Sequence, residues 1–312
     1  MNQSFIDALM HFFSLLLLPL PGKKIGNMRA KLEDYITKAG ISFPIEECLK
    51  IYNTYSGKYF FELSSNAYSS DEEINKIQRH LILEAGQKSQ ENLYLQERIL
   101  VILSLLEFNK LKNENDENFY LYVQELSRSL SISESHFNEC RDFISGDKKN
   151  LTKKDLLLEE IDESEELEGE WVTRNIPSSR ADKKKKILDK VLSNIRFHFF
   201  DDYFFIAFIY TGNHNLFINE KRTYPEYFYS FRRKDILQFE GLEPITFDEI
   251  EEHFETSSLS HKIVLSGKDI FYRYENTNYS IKPFSFHEES GQIIGIIGNN
   301  GTGKTTILKL IS

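Results

Sequence analysis

The sequence is poor in several things that would otherwise direct a functional reading. It has two cysteines in 312 residues, Cys48 and Cys140, far apart and without a C-x-x-C pair. That excludes the usual zinc and dithiol motifs and argues against a disulfide framework. The eight histidines (11, 80, 136, 198, 214, 253, 261 and 287) show no metal-ligand spacing. Long hydrophobic runs are missing too. The most apolar stretch, Phe12 to Leu20, is well short of the ~20 residues that span a bilayer. It follows Asp7 rather than a basic segment, which does not suit a signal peptide. There is no excess of positive charge. The net charge is −10 and the pI about 5.4, which is no footprint for nucleic-acid binding.

That charge is local. Nine acids and no base lie between Asp155 and Glu170, and the rest of the chain carries only −1. Arg180 and Lys183 to Lys186 follow. Residues 147–185 therefore read as an acidic and basic linker. The basic run offers a charge match to anionic lipid; a solvated face is the alternative.

What the chain has in quantity is aromatic residues (25 Phe, 16 Tyr, 1 Trp) and 40 % apolar residues, enough for sizeable cores. The length fits two or three domains. From Phe5 to about Ile144 the periodicity is helical. Phe5–Leu18 reads as a buried helix ended by Pro19 and Pro21. Ser70 to Glu73 gives a capping-box pattern ahead of Ile74, Ile77, Leu81 and Ile82. Leu95, Ile99, Ile102, Leu103 and Leu106 form a second stripe, and Phe119, Tyr122, Val123, Leu126 and Leu130 a third. Ser131–Glu134 opens a last helix through Phe137, Cys140 and Ile144. Residues 1–146 are thus expected to be an α-helical bundle. The paired helices, the loop Asn109–Glu117 and the Leu-Ser-Ile-Ser turn resemble the tellurite-resistance B-like helical domain. That family's Asp-Gly is absent from the loop, and a scaffold role is the alternative.

Residues 186–256 alternate in the strand manner. Ile195, Phe197 and Phe199 interleave with Arg196 and His198. Tyr203–Tyr210, Leu216–Ile218 and Tyr227–Phe231 are further strand candidates, with a turn at Gly212-Asn213. This predicts a small β-sandwich-like module. It resembles forkhead-associated domains, without that family's Arg, Ser and His set.

Chemistry is concentrated at the end of the chain. Five of the fifteen glycines fall between Gly291 and Gly303. Gly298-Asn299-Asn300-Gly301-Thr302-Gly303-Lys304-Thr305-Thr306 is a full match to G-x-x-x-x-G-K-[ST], the Walker A phosphate loop, or P-loop. Glycines let successive N–H groups turn inward, and a following helix adds its positive end, which together make an anion cradle. Lys304 is the candidate catalytic residue, a point charge for β- and γ-phosphates. Thr305 is the candidate Mg²⁺ ligand. Ile293, Ile294, Ile296 and Ile297 suit a strand buried on both faces, and Thr305–Ile311 a helix whose Ile307, Leu308 and Ile311 pack on a sheet. Asp269–Tyr274 and Ser280–Phe286 read as strands, with a turn at His287–Ser290.

This layout over residues 262–312 resembles the start of the ATP-binding cassette (ABC) family. The resemblance implies ATP and Mg²⁺ as cofactors. It also implies adenine stacking on Tyr274, 24 residues before Gly298, with Tyr272 as the competing aromatic. It further implies a dimer of ATPase domains and a membrane-spanning domain or subunit as partner, at the cytoplasmic face of the membrane, with no nucleic-acid partner expected. The family's glutamine loop, signature helix, Walker B acids and switch histidine all lie downstream of the Walker A motif, so a C-terminal half of the ATPase domain is expected beyond Ser312. This chain alone is then expected to show no ATPase turnover. The fold class expected is multidomain α+β: helical bundle, β-sandwich-like module, and the incomplete start of an α/β P-loop NTPase domain. Two rival functions stay open: an ABC-type ATPase without membrane segments acting on nucleic acid or ribosomes, and a helical/β interaction module whose nucleotide loop is incidental.

Overall fold

A computed structural model describes residues 2–18, 26–41, 43–65, 71–112, 117–158, 191, 193–258, 264–273, 280–289, 295–299 and 301–311. The chain divides into two compact units, residues 1–254 and 255–312.

The first unit opens with seven helices: α1 (Gln3–Leu16), α2 (Gly26–Lys38), α3 (Ile45–Ser65), α4 (Asp71–Gln90), α5 (Leu95–Leu111), α6 (Glu117–Ser129) and α7 (Glu134–Ser145). α1 starts where the Asn2 side chain accepts a hydrogen bond from the Phe5 N–H at 2.8 Å. α5 has ten consecutive buried residues, Ile99 to Phe108, so it is covered on every side and forms the axis of the bundle. α1 packs against α3, α4 and α5, and α7 packs on the far part of α5. Phe108 of α5 meets Phe13 of α1 and Tyr35 of α2 edge-to-face, at centroid distances of 5.1 and 5.5 Å. α7 begins at Ser133, whose hydroxyl accepts from the His136 N–H, and ends at the left-handed Gly146.

Strands follow: β1 (Asp155–Leu158), β2 (Asn194–Phe200), β3 (Phe205–Thr211), β4 (Leu216–Ile218), β5 (Lys221–Arg222), β6 (Phe228–Phe231), β7 (Ile236–Phe239) and β8 (Ile245–Thr246), then α8 (Phe247–Ser258). They make two antiparallel four-stranded sheets, ordered β1-β2-β3-β6 and β5-β4-β7-β8. Three features depart from the sequence reading. β1 lies inside the segment read as a linker, and Leu156 and Leu158 are buried on it. α8 lies inside the segment read as β-rich. The helices and strands also share one continuous core. Across that core the Tyr229 hydroxyl donates to the Lys38 carbonyl at 2.8 Å, and the Gln96 amide to the Tyr203 carbonyl at 2.5 Å. Among the described residues no helix is long and apolar enough to cross a membrane.

The second unit is a long antiparallel hairpin, β9 (Val264–Arg273) and β10 (Ser280–Glu289), followed by the glycine loop and α9 (Lys304–Ile311). His287 to Glu289, expected as a turn, continue β10 and pair with Ser266 to Val264. The register shifts twice, between Ile281 and Phe284 and between Phe284 and Phe286. Asp269 takes a left-handed φ of 51° opposite this irregular stretch, and its N–H finds the Ser285 hydroxyl at 3.0 Å instead of a ladder partner.

Candidate functional site

The glycine loop owes its shape to two left-handed residues, Gly301 (φ 84°) and Gly303 (φ 91°). Both positions disfavour a side chain, which is why this bend needs glycine. Between them Thr302 closes the turn, its N–H and hydroxyl both reaching the Asn299 carbonyl, the hydroxyl at 2.8 Å. α9 begins directly after Gly303, whose carbonyl accepts the first helical bond from Ile307 N–H at 2.9 Å. The first backbone N–H groups of α9 and its positive end therefore face the loop side.

Lys304 is the first residue of α9, and its side chain folds back along the loop. Its ammonium donates to the carbonyls of Gly298 (2.8 Å) and Asn299 (2.7 Å). The charge thus sits over the loop, its hydrogen bonds among the described residues going to neutral carbonyl oxygens. A bond from an ammonium to an anionic oxygen is roughly twice as strong as one between neutral groups. The donor set therefore fits a phosphate: an ammonium poised at the loop, a bend of left-handed glycines and a helix start. Gly298, Asn299, Gly301, Thr302 and Thr305 are exposed, while Gly303, Lys304 and Thr306 are half-buried. Thr305 is exposed in the first turn of α9.

Other expected features are placed differently. Gly295 to Asn299 form no strand, and Ile297 is 98 % exposed, so the buried central strand expected here has no pairing partner among the described residues. Leu308, expected to pack on a sheet, is 55 % exposed. Tyr274, Asn300, Ile293 and Ile294 lie outside the described residues; Tyr272 is in β9 and 37 % exposed.

Residues 281–312 match the ABC transporter family model. Similar curated proteins are energy-coupling factor transporter ATP-binding proteins EcfA1. That of Streptococcus pneumoniae is 40 % identical over 52 residues, 16 % of this chain and 19 % of the relative. That of Streptococcus agalactiae is 36 % identical over 50 residues, 15 % of this chain and 18 % of the relative. That of Listeria monocytogenes is 41 % identical over 44 residues, 14 % of this chain and 16 % of the relative. The matched stretch thus spans less than a fifth of the length of each relative. No solved structure matches. The family match supports an ABC-type ATPase segment at residues 281–312. It does not reach the helical region, and the tellurite-resistance resemblance of that region has no support from it.

A second polar cluster, in the first unit, escaped the sequence reading. Asp155 of β1 is buried and accepts from Arg196 and His198 of β2, both at 2.9 Å. The other His198 nitrogen faces Glu139 of α7 at 3.1 Å. Lys154 joins Glu139 (2.9 Å) to Asp201 (2.5 Å), and Arg196 also reaches the last turn of α7 at the Asp142 and Phe143 carbonyls. With a carboxylate at each ring nitrogen, His198 has donor roles on both sides, which is the imidazolium form. Burial alone would lower its pKa, but the bonds to Asp155 and Glu139 outweigh burial and raise it. Burial likewise opposes the charge on Asp155, yet His198 and Arg196 bring its pKa down to about 2. Every charge in this cluster has a partner inside it, so the arrangement ties α7 to the sheet. Its residues read as surface polar positions in a period-two pattern, and Asp155 as one acid among nine.

Proposed function

We propose that residues 298–306 bind ATP as its Mg²⁺ complex, and that the whole protein is an ABC-type ATPase whose hydrolysis powers transport across a membrane. The observation that carries this reading is a Walker A loop, with its lysine ammonium held over the bend, inside the segment that matches the ABC transporter family model.

The residues divide the work. The loop N–H groups and the start of α9 bind phosphate oxygens. Lys304 exchanges its two carbonyl partners for β- and γ-phosphate oxygens, which orients the terminal phosphate and offsets charge on it. Thr305 holds the metal, and Mg²⁺, when bound, neutralises charge on the phosphates. Tyr274 stacks on adenine, as the family resemblance implies; a base–aromatic contact is worth about 1–3 kcal/mol. By the same resemblance the protein works as a dimer of ATPase domains against a membrane-spanning partner, at the cytoplasmic face of the membrane. The relatives are ATP-binding proteins of energy-coupling factor transporters, which supports a membrane component as that partner.

A nucleotide-dependent thermal shift tests the binding step. Ligand that binds only the folded state raises the melting temperature by mass action. ATP with Mg²⁺ is expected to raise it, and adenosine, which lacks phosphates, to leave it unchanged. No shift with ATP and Mg²⁺ at millimolar concentration would overturn the reading.

A further inference from the structure

Gly303 is the pivot of the loop. Its left-handed φ turns the chain into α9, its carbonyl takes the first helical bond, and the next residue is Lys304. One side of this pivot is occupied. A Cβ placed on Gly303 would lie 3.4 Å from both Cγ1 and Cδ1 of Ile281, so the Ile281 side chain stands beside the pivot, where any other residue would carry its own side chain. Ile281 is half-buried, three residues ahead of Phe284 on the irregular part of β10, and pairs with Tyr272 of β9. Among the described residues, the other loop glycines meet only the loop's own side chains or open space: a Cβ on Gly298 would meet Thr302 and Lys304. A Cβ on Gly301 would meet nothing within 4 Å, and Ile297, at the entrance to the loop, is almost fully exposed.

We propose that Ile281 is a positioning residue for nucleotide binding: its branched side chain buttresses Gly303 and so fixes where the Lys304 ammonium and the first N–H groups of α9 point. This rests on the reading of residues 298–306 as a phosphate site. The physical reason is geometric. Phosphate recognition by a lysine and several N–H groups at once requires all of them within a fraction of an ångström of their places, and a displacement of about 1 Å in a supporting group can cost on the order of 100-fold in function. Removing the Ile281 branches takes away the surface that stops the pivot from shifting, and touches no phosphate-binding atom.

The test is equilibrium binding of ATP with Mg²⁺ to the intact protein and to four variants: Ile281→Ala, Ile281→Val, Ile270→Ala and Lys304→Ala. Ile270 is the control, because its side chain lies beside Gly267 in the same hairpin rather than beside Gly303. The expected result is a roughly tenfold loss of affinity for Ile281→Ala, a loss under about twofold for Ile281→Val, which keeps the β-branch, and under about twofold for Ile270→Ala. If Ile281→Ala binds like the wild type while Lys304→Ala does not bind, the buttress is refuted and the phosphate site stands. If Ile281→Ala and Ile270→Ala weaken binding equally, Ile281 merely holds the hairpin together and the proposal fails. If Lys304→Ala leaves affinity unchanged, the phosphate site itself is refuted. Should Ile281→Ala fail to fold, Ile281→Leu replaces it: moving the branch from Cβ to Cγ is expected to weaken binding more than Ile281→Val does, and equal affinities for the two would refute the buttress.

Discussion

Glu107 carries a buried carboxyl whose charge the fold controls. It is 1 % exposed in the C-terminal part of α5. One oxygen accepts the Phe228 N–H, and the other lies 2.8 Å from the Tyr35 hydroxyl. Tyr35 also faces the Ser104 carbonyl at 3.1 Å. The Tyr35 hydroxyl is placed to donate to Glu107 and to the Ser104 carbonyl, and the Phe228 N–H donates to Glu107. Burial pushes the Glu107 pKa up to about 8, against the hydrogen bonds from Phe228 and Tyr35 and the charge of Lys110, which pull it down. Because the folded state keeps a proton that the unfolded chain releases above about 4.5, stability falls as pH rises from there to about 8, at up to about 1.4 kcal/mol per pH unit. Glu107→Gln, which keeps shape and one acceptor, should flatten that slope in denaturant titrations. An unchanged slope would contradict the account. Asp155 answers in the opposite direction. Its depressed pKa contributes stability that is present above about 3.8 and lost as pH falls toward 2. Asp155→Ala leaves Arg196 and His198 buried without their carboxylate and should cost about 3–5 kcal/mol, measured by chemical unfolding at pH 6.

Elements were legible where one physical signal sufficed. α1, α4, α5, α6 and α7 follow from apolar spacing, and the opening of α7 from the Ser131–Glu134 stretch, within which Ser133 proves to be the cap. Ser133→Ala is expected to cost about 1 kcal/mol, and Ser133→Asp to retain most of it, by thermal or urea unfolding. α2 and α3 were not singled out, being weakly patterned, and α8 was hidden in a strand-rich stretch. β1 was hidden by charge: Asp155 begins an acidic run, and only the cross-strand partners Arg196 and His198 reveal that it points inward. The bend of the glycine loop was legible as a motif, since glycine at the left-handed positions 301 and 303 and lysine at the helix start are dictated by local geometry. Its buttress, Ile281, was not, because 22 residues separate it from Gly303 and only the fold brings them together.

At the scale of the molecule, composition suggested separate helical and β modules. The structure instead gives residues 1–254 one core, since Phe108, Tyr35 and Tyr227 bring helix and sheet faces together. Two of the pH-sensitive groups of that unit, His198 and Glu107, act in the same direction. His198, with its raised pKa, contributes stability that is full below about 6.5 and lost as pH rises through its folded value, and Glu107 loses stability over an overlapping range. Between pH 4 and 6.5 His11 works the other way, because burial lowers its pKa to about 4. The melting temperature of the protein should therefore decline from about pH 6.5 to pH 9, and a flat or rising profile over that range would contradict this. The central claim concerns the other unit, and equilibrium titration of ATP with Mg²⁺ against the intact protein and its Lys304→Ala variant tests it most directly. Saturable binding that weakens at least tenfold in the variant is the predicted result. Equal affinity in the two proteins, or no binding to either, would contradict the account.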